Sequence, residues 1–234
     1  MPSYLRFLTG IQNTSALAFG TFLAVHLASP LVAVVAGGEG ATNVMLLGRA
    51  YYHPLEPALI YGSISLHLLA SLLRRIHLVR TQNTRFRPSL HQATGYLLIP
   101  IITHHILTHR IIPSSSEAPI FALSPAELGY SFVSYGLRVW PLVSWTTYTL
   151  LIGSGVYHSL AGVPKILSWA RGRPSVPPAV RSRRGGMGVR GAFVLLVSAL
   201  GVGLGRLHLE DPVFSRGMQK RVEAVYRSLP WLYR

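Results

Sequence analysis

The chain is 234 residues long, 50% hydrophobic and 12% charged, with a mean hydropathy of +0.38 and a formal net charge of +15. So little charge beside long apolar runs excludes an ordinary soluble domain. The basic excess lies in the gaps between those runs, so membrane topology explains it and nucleic acid does not. With 0 cysteines, disulfides, thiolate-ligated or covalently attached haem and iron–sulfur clusters held by this chain are excluded.

Residues 1–13 read as a short N-terminus. Only Arg6 precedes the first apolar run, and no charged n-region, short apolar core and A-x-A site follow one another, so no cleavable leader is expected. Five apolar runs of spanning length follow, at about 14–36, 54–73, 94–112, 139–163 and 191–207. His53-Pro54-Leu55-Glu56 opens the second run with proline at a first helical position and an acid in the first turn. Between the third and fourth, Ser124-Pro125-Ala126-Glu127 reads as a capping box opening a short interfacial helix through about Leu137. The fifth run carries Gly201, Gly203 and Gly205, which suits close packing on a neighbouring helix.

In the tail, 208–234, Phe214, Met218, Val222, Val225 and Leu229 recur at helical spacing with Lys220, Arg221 and Arg227 between them. This is an amphipathic helix, lying either in the membrane interface with Trp231 and Tyr233 at headgroup depth, or on the protein's own surface. The expected architecture is an all-α membrane protein: a five-span helical bundle over 14–207 plus interfacial helices.

Charge then orients the bundle. With five spans, Arg6, the arginines from Arg74 to Arg87 and the basic residues from Lys165 to Arg190 share one side, where no acid falls. The 7 acids (Glu39, Glu56, Glu117, Glu127, Glu210, Asp211 and Glu223) lie on the other. The positive-inside rule places the N-terminus in the cytosol.

Four spans carry histidine: His26, His67, the pair His104/His105, and His158. Imidazoles are costly in hydrocarbon and so face a bundle interior. His67 and His158 each lie two turns, roughly 10 Å, short of a cation on the same side, Arg74 and Lys165. Small residues flank both: Ser63, Ala70 and Ser71; Ser154, Gly155, Ala161 and Gly162. That pattern suits two axial ligands of a b-type haem, with Arg74 and Lys165 at its propionates and Ser63 or Ser154 bonding the second ring nitrogens. A second haem would take His26 with His104 or His105, which point about 100° apart. His105 is favoured, because His109 lies on its face and, with Arg110, would approach the propionates. The competing explanation is polar packing, with Ser29, Thr103, Thr108 or Ser154 satisfying each ring across helices. His53, His77, His91 and His208 sit at span ends and read as interfacial.

Other chemistry finds no footing. No acid lies within a span to build a catalytic triad. Gly185-Gly186-Met187-Gly188 lacks the lysine and preceding strand of a phosphate loop. Arg173-Pro174-Ser175-Val176-Pro177-Pro178 is polyproline-like, either a linker or a docking motif on the cytosolic side.

Several segments carry a family resemblance: Phe22-Leu23-Ala24-Val25-His26-Leu27, Tyr51-Tyr52-His53-Pro54-Leu55-Glu56, Leu66-His67 with Ser71 and Arg74, Gly95-Tyr96-Leu97-Leu98-Ile99-Pro100 with His104/His105 and His109-Arg110, Ser144-Trp145 with Tyr148, and Gly155-Val156-Tyr157-His158. Over about residues 10–205 the chain resembles the transmembrane domain of the fungal mitochondrial outer-membrane adapters that compensate for lost endoplasmic reticulum–mitochondria tethers. That domain in turn looks like the haem b membrane anchor of succinate dehydrogenases and fumarate reductases. The resemblance implies an integral mitochondrial outer-membrane protein among membrane lipids, acting in contact-site and lipid homeostasis by recruiting a chorein-type bridge-like lipid-transfer protein. In that family recruitment uses a proline-containing motif in a cytosolic N-terminal extension. Here Met1–Gln12 precedes span one, which leaves 174–178 as the substitute. One alternative is a haem b anchor subunit of a quinone-linked oxidoreductase with flavoprotein and iron–sulfur partners. Another is a haem-free lipid-handling bundle.

Overall fold

The computed structural model describes residues 3–82, 88–172 and 184–234, and all their regular structure is helical. The polyproline-like stretch 174–178 and the start of the Gly185–Gly188 loop's helix fall outside the described side chains. Among the described residues, four helices are long and apolar enough to cross a membrane: Ser3–Leu55, Pro57–Thr81, Pro141–Ala170 and Gly188–Leu209. They answer to the first, second, fourth and fifth expected spans. The third is also helical, as α3 (Leu90–Ile106) running into a π-helical turn, Leu107–Ile111. Its α-helical part is 17 residues long, and its end and the turn beyond carry His104, His105, His109 and Arg110.

The largest departure from the sequence reading lies in α1 (Ser3–Tyr52). It is two helices joined at Gly37, whose backbone sits at φ 65°, ψ −166°. That conformation belongs to glycine, because a Cβ would collide with the chain's own backbone. The second arm, 38–52, folds back along the first: the Phe22 and Tyr52 rings lie 5.0 Å apart, and Ser29 Oγ donates to the Ala41 carbonyl at 2.7 Å. The sequence reading stops the first span at Ala36 and places no element before Pro54.

From Glu56 the chain turns through a π-helical segment, Pro57–Gly62, into α2 (Ser63–Gln82), which returns along α1. Gln12 Nε2 donates to Ser71 Oγ at 2.9 Å, and Tyr4 meets the His77 ring at 5.5 Å. The helix α5 (Pro141–Ala170) runs back along α3, and α6 (Arg184–Leu209) lies between α5 and α1. Of the three glycines expected to pack closely, Gly203 is the one that does so: a Cβ there would lie 2.5 Å from the Pro30 carbonyl oxygen, whereas Gly201 and Gly205 face open space. The close packings run α2–α1–α6–α5–α3. Between α2 and α3, at the open ends of that series, lies a cavity of about 2590 Å³, lined from Arg6 and Lys165 at one end to Glu56 and Arg110 at the other.

The expected capping box at Ser124 forms only a turn. Ser124 N–H donates to the Glu127 carboxylate at 2.7 Å, but the helix α4 (Tyr130–Val139) begins after Gly129. The tail helix α7 (Arg216–Arg227) lies on the protein's own surface. Val222, Val225, Tyr226, Leu229 and Tyr233 are buried against Phe132, Tyr135 and Trp140, while Trp231 is 69% exposed. Burial of this apolar face against an aromatic core leaves less of it for the lipid interface. Within that core the Tyr226 hydroxyl donates to the Phe132 carbonyl at 2.9 Å, in the space that Gly136 leaves. Tyr226→Phe removes that bond, while the Phe132 carbonyl keeps its partner within α4. It should cost about 1 kcal/mol, read as a lower thermal midpoint in detergent. Trp231→Ala should leave the midpoint unchanged.

Candidate functional site

Two histidine pairs face each other across the cavity. On the side of the N-terminus, His67 of α2 and His158 of α5 have ring centres 6.2 Å apart with planes at 81°. Towards the opposite side, His26 of α1 and His105 of α3 lie 6.0 Å apart at 80°. An ion bonded at about 2 Å to one nitrogen of each of two imidazoles would hold the ring centres roughly 6 Å apart. Both separations are compatible with that spacing, and the near pair, His67 with His158, is the one matched by residue depth.

The near pair is also oriented from behind. His67 Nδ1 lies 3.1 Å from the Gln12 carbonyl oxygen, and His158 Nδ1 lies 2.9 Å from that of His91. A carbonyl only accepts, so each Nδ1 carries the proton and each Nε2 keeps a free lone pair. This corrects the sequence expectation about the second nitrogens. Ser63 donates to its own helix at the Leu59 and Ile60 carbonyls, and Ser154 to that of Leu150. Helical serine hydroxyls bond back to the preceding turn, which removes them from the ring.

Arg74 lies where a propionate partner is expected: Nη1 donates to Gln12 Oε1 at 3.2 Å, and its Nε is buried without a partner. Lys165 lines the same mouth. The far side differs from expectation. Arg110 forks onto Glu56, Nε to Oε1 at 2.7 Å and Nη2 to Oε2 at 2.8 Å, with His53 Nε2 at 3.1 Å from Nη2. That engages Nε and Nη2 of the guanidinium. His109 is turned inwards, its Nε2 2.9 Å from the Tyr148 hydroxyl and its ring 4.5 Å from His105. His104 points away from His26, with Nε2 2.9 Å from the Tyr233 hydroxyl, and is a packing contact. Of the tandem histidines, His105 is the one whose ring lies beside that of His26. Among the described residues no group of three or more His, Cys, Asp or Glu side chains could hold a metal ion.

Sequence reasoning missed Gln12, His91 and Tyr148 as members of the site. His91 was placed at an interface by its position, yet its ring stacks on His158 at 4.2 Å, 7° from parallel.

Glu56 stands between the first two membrane-crossing helices, its side chain 8% exposed. Burial pushes its carboxyl pKa up, but the hydrogen bonds and charge of Arg110 outweigh this, aided by the Tyr61 hydroxyl, and hold it below the usual value of 4.5. A lowered folded-state pKa gives stability that is complete above the unfolded value and is lost as pH falls through the folded one. Thermal midpoints should therefore be flat above about pH 5 and fall below about pH 4.5. Glu56→Gln should flatten that fall, and an unchanged acid slope in the variant would reassign it.

Residues 100–208 match the family model described as MDM10-complementing protein 1, transmembrane domain. The match takes in His104, His105, His109 and His158 and leaves His26 and His67 outside it. The chain is 23% identical over 195 residues to the mitochondrial adapter protein MCP1 of Saccharomyces cerevisiae, an alignment covering 68% of this chain. It spans 63% of that relative's length. No solved structure matches the chain. Family model and relative both support the MCP1 family of mitochondrial membrane adapters as the one this helical chain resembles.

Proposed function

We propose that this chain is an integral membrane adapter of the mitochondrial outer membrane, acting in contact-site and lipid homeostasis, and that it holds b-type haem between His67 and His158. The adapter role rests on the similarity to MCP1. The haem reading rests on one observation: two imidazoles from different helices, 6.2 Å apart across a cavity, each backed by a carbonyl at Nδ1. Outer-shell acceptors of this kind fix tautomer and ring orientation in metal-ligating histidines. When bound, haem iron would supply one-electron exchange. The residues orient it, keep both ligands neutral and exclude water. His26 and His105 have the spacing for a second haem, with fewer cations free to receive its propionates.

The full reading has five crossings, with α3 completing the bundle and the N-terminus in the cytosol. What supports it is the run of α3 along α5 from His91–His158 to His109–Tyr148 and the one-sided charge. The chain has no native thiols, so single cysteines report topology cleanly. Thr81→Cys should react with an impermeant maleimide from the cytosolic side of intact mitochondria, and Glu117→Cys only after the outer membrane is opened. The reverse pattern would overturn the orientation. In this reading the proline-containing stretch 174–178 recruits a chorein-type lipid-transfer protein.

The absorption spectrum of the purified, dithionite-reduced protein tests the haem reading. A b-type α-band at a stoichiometry of one or two supports it, and a flat spectrum after haemin reconstitution leaves a haem-free lipid-handling bundle. A second reading, the haem b anchor of a quinone-linked oxidoreductase, is favoured by the Tyr148–His109 pair on the cavity wall. Co-purification of flavoprotein and iron–sulfur subunits would select it.

A further inference from the structure

His91 has no part in the ligand scheme, yet it is bound into the near site in two ways. Its backbone carbonyl accepts from His158 Nδ1 at 2.9 Å, and its ring covers the His158 ring at 4.2 Å, 7° from parallel. Its own Nδ1 is buried and has no hydrogen-bond partner. A stranded imidazole nitrogen is costly, and an acceptor arriving with a ligand removes that cost. Arg74, with its own unpartnered Nε, and Lys165 line the same cavity. Gly95 and Gly162, against the His158 and His91 rings, leave the approach open. Among the described residues that line the cavity, the acid is Glu56, at the other end.

We propose that His91 and Arg74 together bind the carboxylate end of the amphiphile held in this cavity, with the His91 ring also fixing His158. His91 is thus a positioning residue for one ligand and a donor to the propionates. This rests on the haem reading above and adds the groups that grip the acid end. It also explains an asymmetry between the two pairs. Near the far pair, Arg110 is engaged by Glu56, and Arg49 Nη1 donates to the Pro125 carbonyl. The carboxylate-directed site is therefore the one at His67 and His158.

The test compares haemin with its dimethyl ester, which keeps the iron and the ring and lacks free carboxylates. The full-length protein in detergent is loaded with each, and transfer to apomyoglobin gives the dissociation rate. Loss of charge-assisted hydrogen bonds should speed haemin release from His91→Phe at least about tenfold. Release of the ester should be the same from wild type and variant, because Phe keeps the stack and the backbone carbonyl is untouched. His91→Asn, which restores an N–H donor, should recover part of the haemin retention. Haemin release from His91→Phe equal to wild type would overturn the proposal while leaving haem binding intact, as would equal acceleration for the ester. If the wild type takes up neither compound, the haem reading fails and this proposal fails with it. A thermal midpoint for each apo variant confirms that it is folded.

Discussion

Replacing His67 with alanine is expected to abolish the low-spin b-type α-band of the near site and leave the protein folded. The ring is one of two imidazoles at ligand separation, and its Nδ1 is anchored on the Gln12 carbonyl. Removing an outer-shell partner alone costs about 10–100-fold in metal affinity, so losing the ligand itself should exceed about 100-fold. The fold should survive. The α1–α2 packing is also carried by the Gln12–Ser71 and Gln12–Arg74 hydrogen bonds, and the ring faces the cavity rather than a packed core. His104→Leu is the control, because His104 is a partner of Tyr233 and not of the cavity pair. It should keep its full haem content. Unchanged haem content in His67→Ala would rule the assignment out.

The second large effect is expected at Gly37. Gly37→Val should destabilise the protein by about 3 kcal/mol from backbone strain, before sterics are added. The backbone at φ 65°, ψ −166° is closed to a β-branched residue, and a Cβ would lie 2.5 Å from Glu210 Oε1. The same carboxylate accepts the Gly38 N–H at 2.8 Å. The variant must therefore lose either the reversal or the contact with α6. Adding Glu210→Ala would relieve the crowding but not the dihedral, so the double variant should recover only part of the midpoint. Gly10→Ala gives the opposite contrast: no heavy atom lies within 4 Å of its Cβ, and a helical Gly→Ala change should be neutral or slightly stabilising. A wild-type midpoint for Gly37→Val would mean that the reversal is not built as described.

The histidine pairing was legible because depth in a helical span is residue count multiplied by rise. His67 and His158 stand equally far from Arg74 and Lys165, and that arithmetic needs no tertiary knowledge. The apolar runs were legible for the same reason, since a bilayer sets a length that sequence alone can meet. What stayed hidden depends on contacts between distant parts of the chain. The arm 38–52 is partly polar, and its helix is defined by the fit of Ala41 and Gly48 against Ser29 and Val25. His91 looked peripheral because it is near a helix start, yet α3 brings it onto His158. Arg110 looked like a propionate partner until Glu56, 54 residues earlier in the chain, proved to occupy it. Ser124–Glu127 has the composition of a capping box, but the helix waits for Tyr130, whose N–H donates to Thr42 Oγ1 at 3.0 Å.

The first and last membrane helices touch, and that constrains biogenesis. Arg206 donates to the Val34 carbonyl at 2.9 Å, and Glu210 holds the Gly38 amide. A chain made from its N-terminus thus displays the tip of its first hairpin, with those backbone groups unclaimed, through the whole of synthesis. No earlier segment can substitute, because these partners arrive only with the last span. The nascent bundle is accordingly an unclosed clasp. A product that stops short of α6 would leave the Val34 carbonyl and the Gly38 amide without these partners.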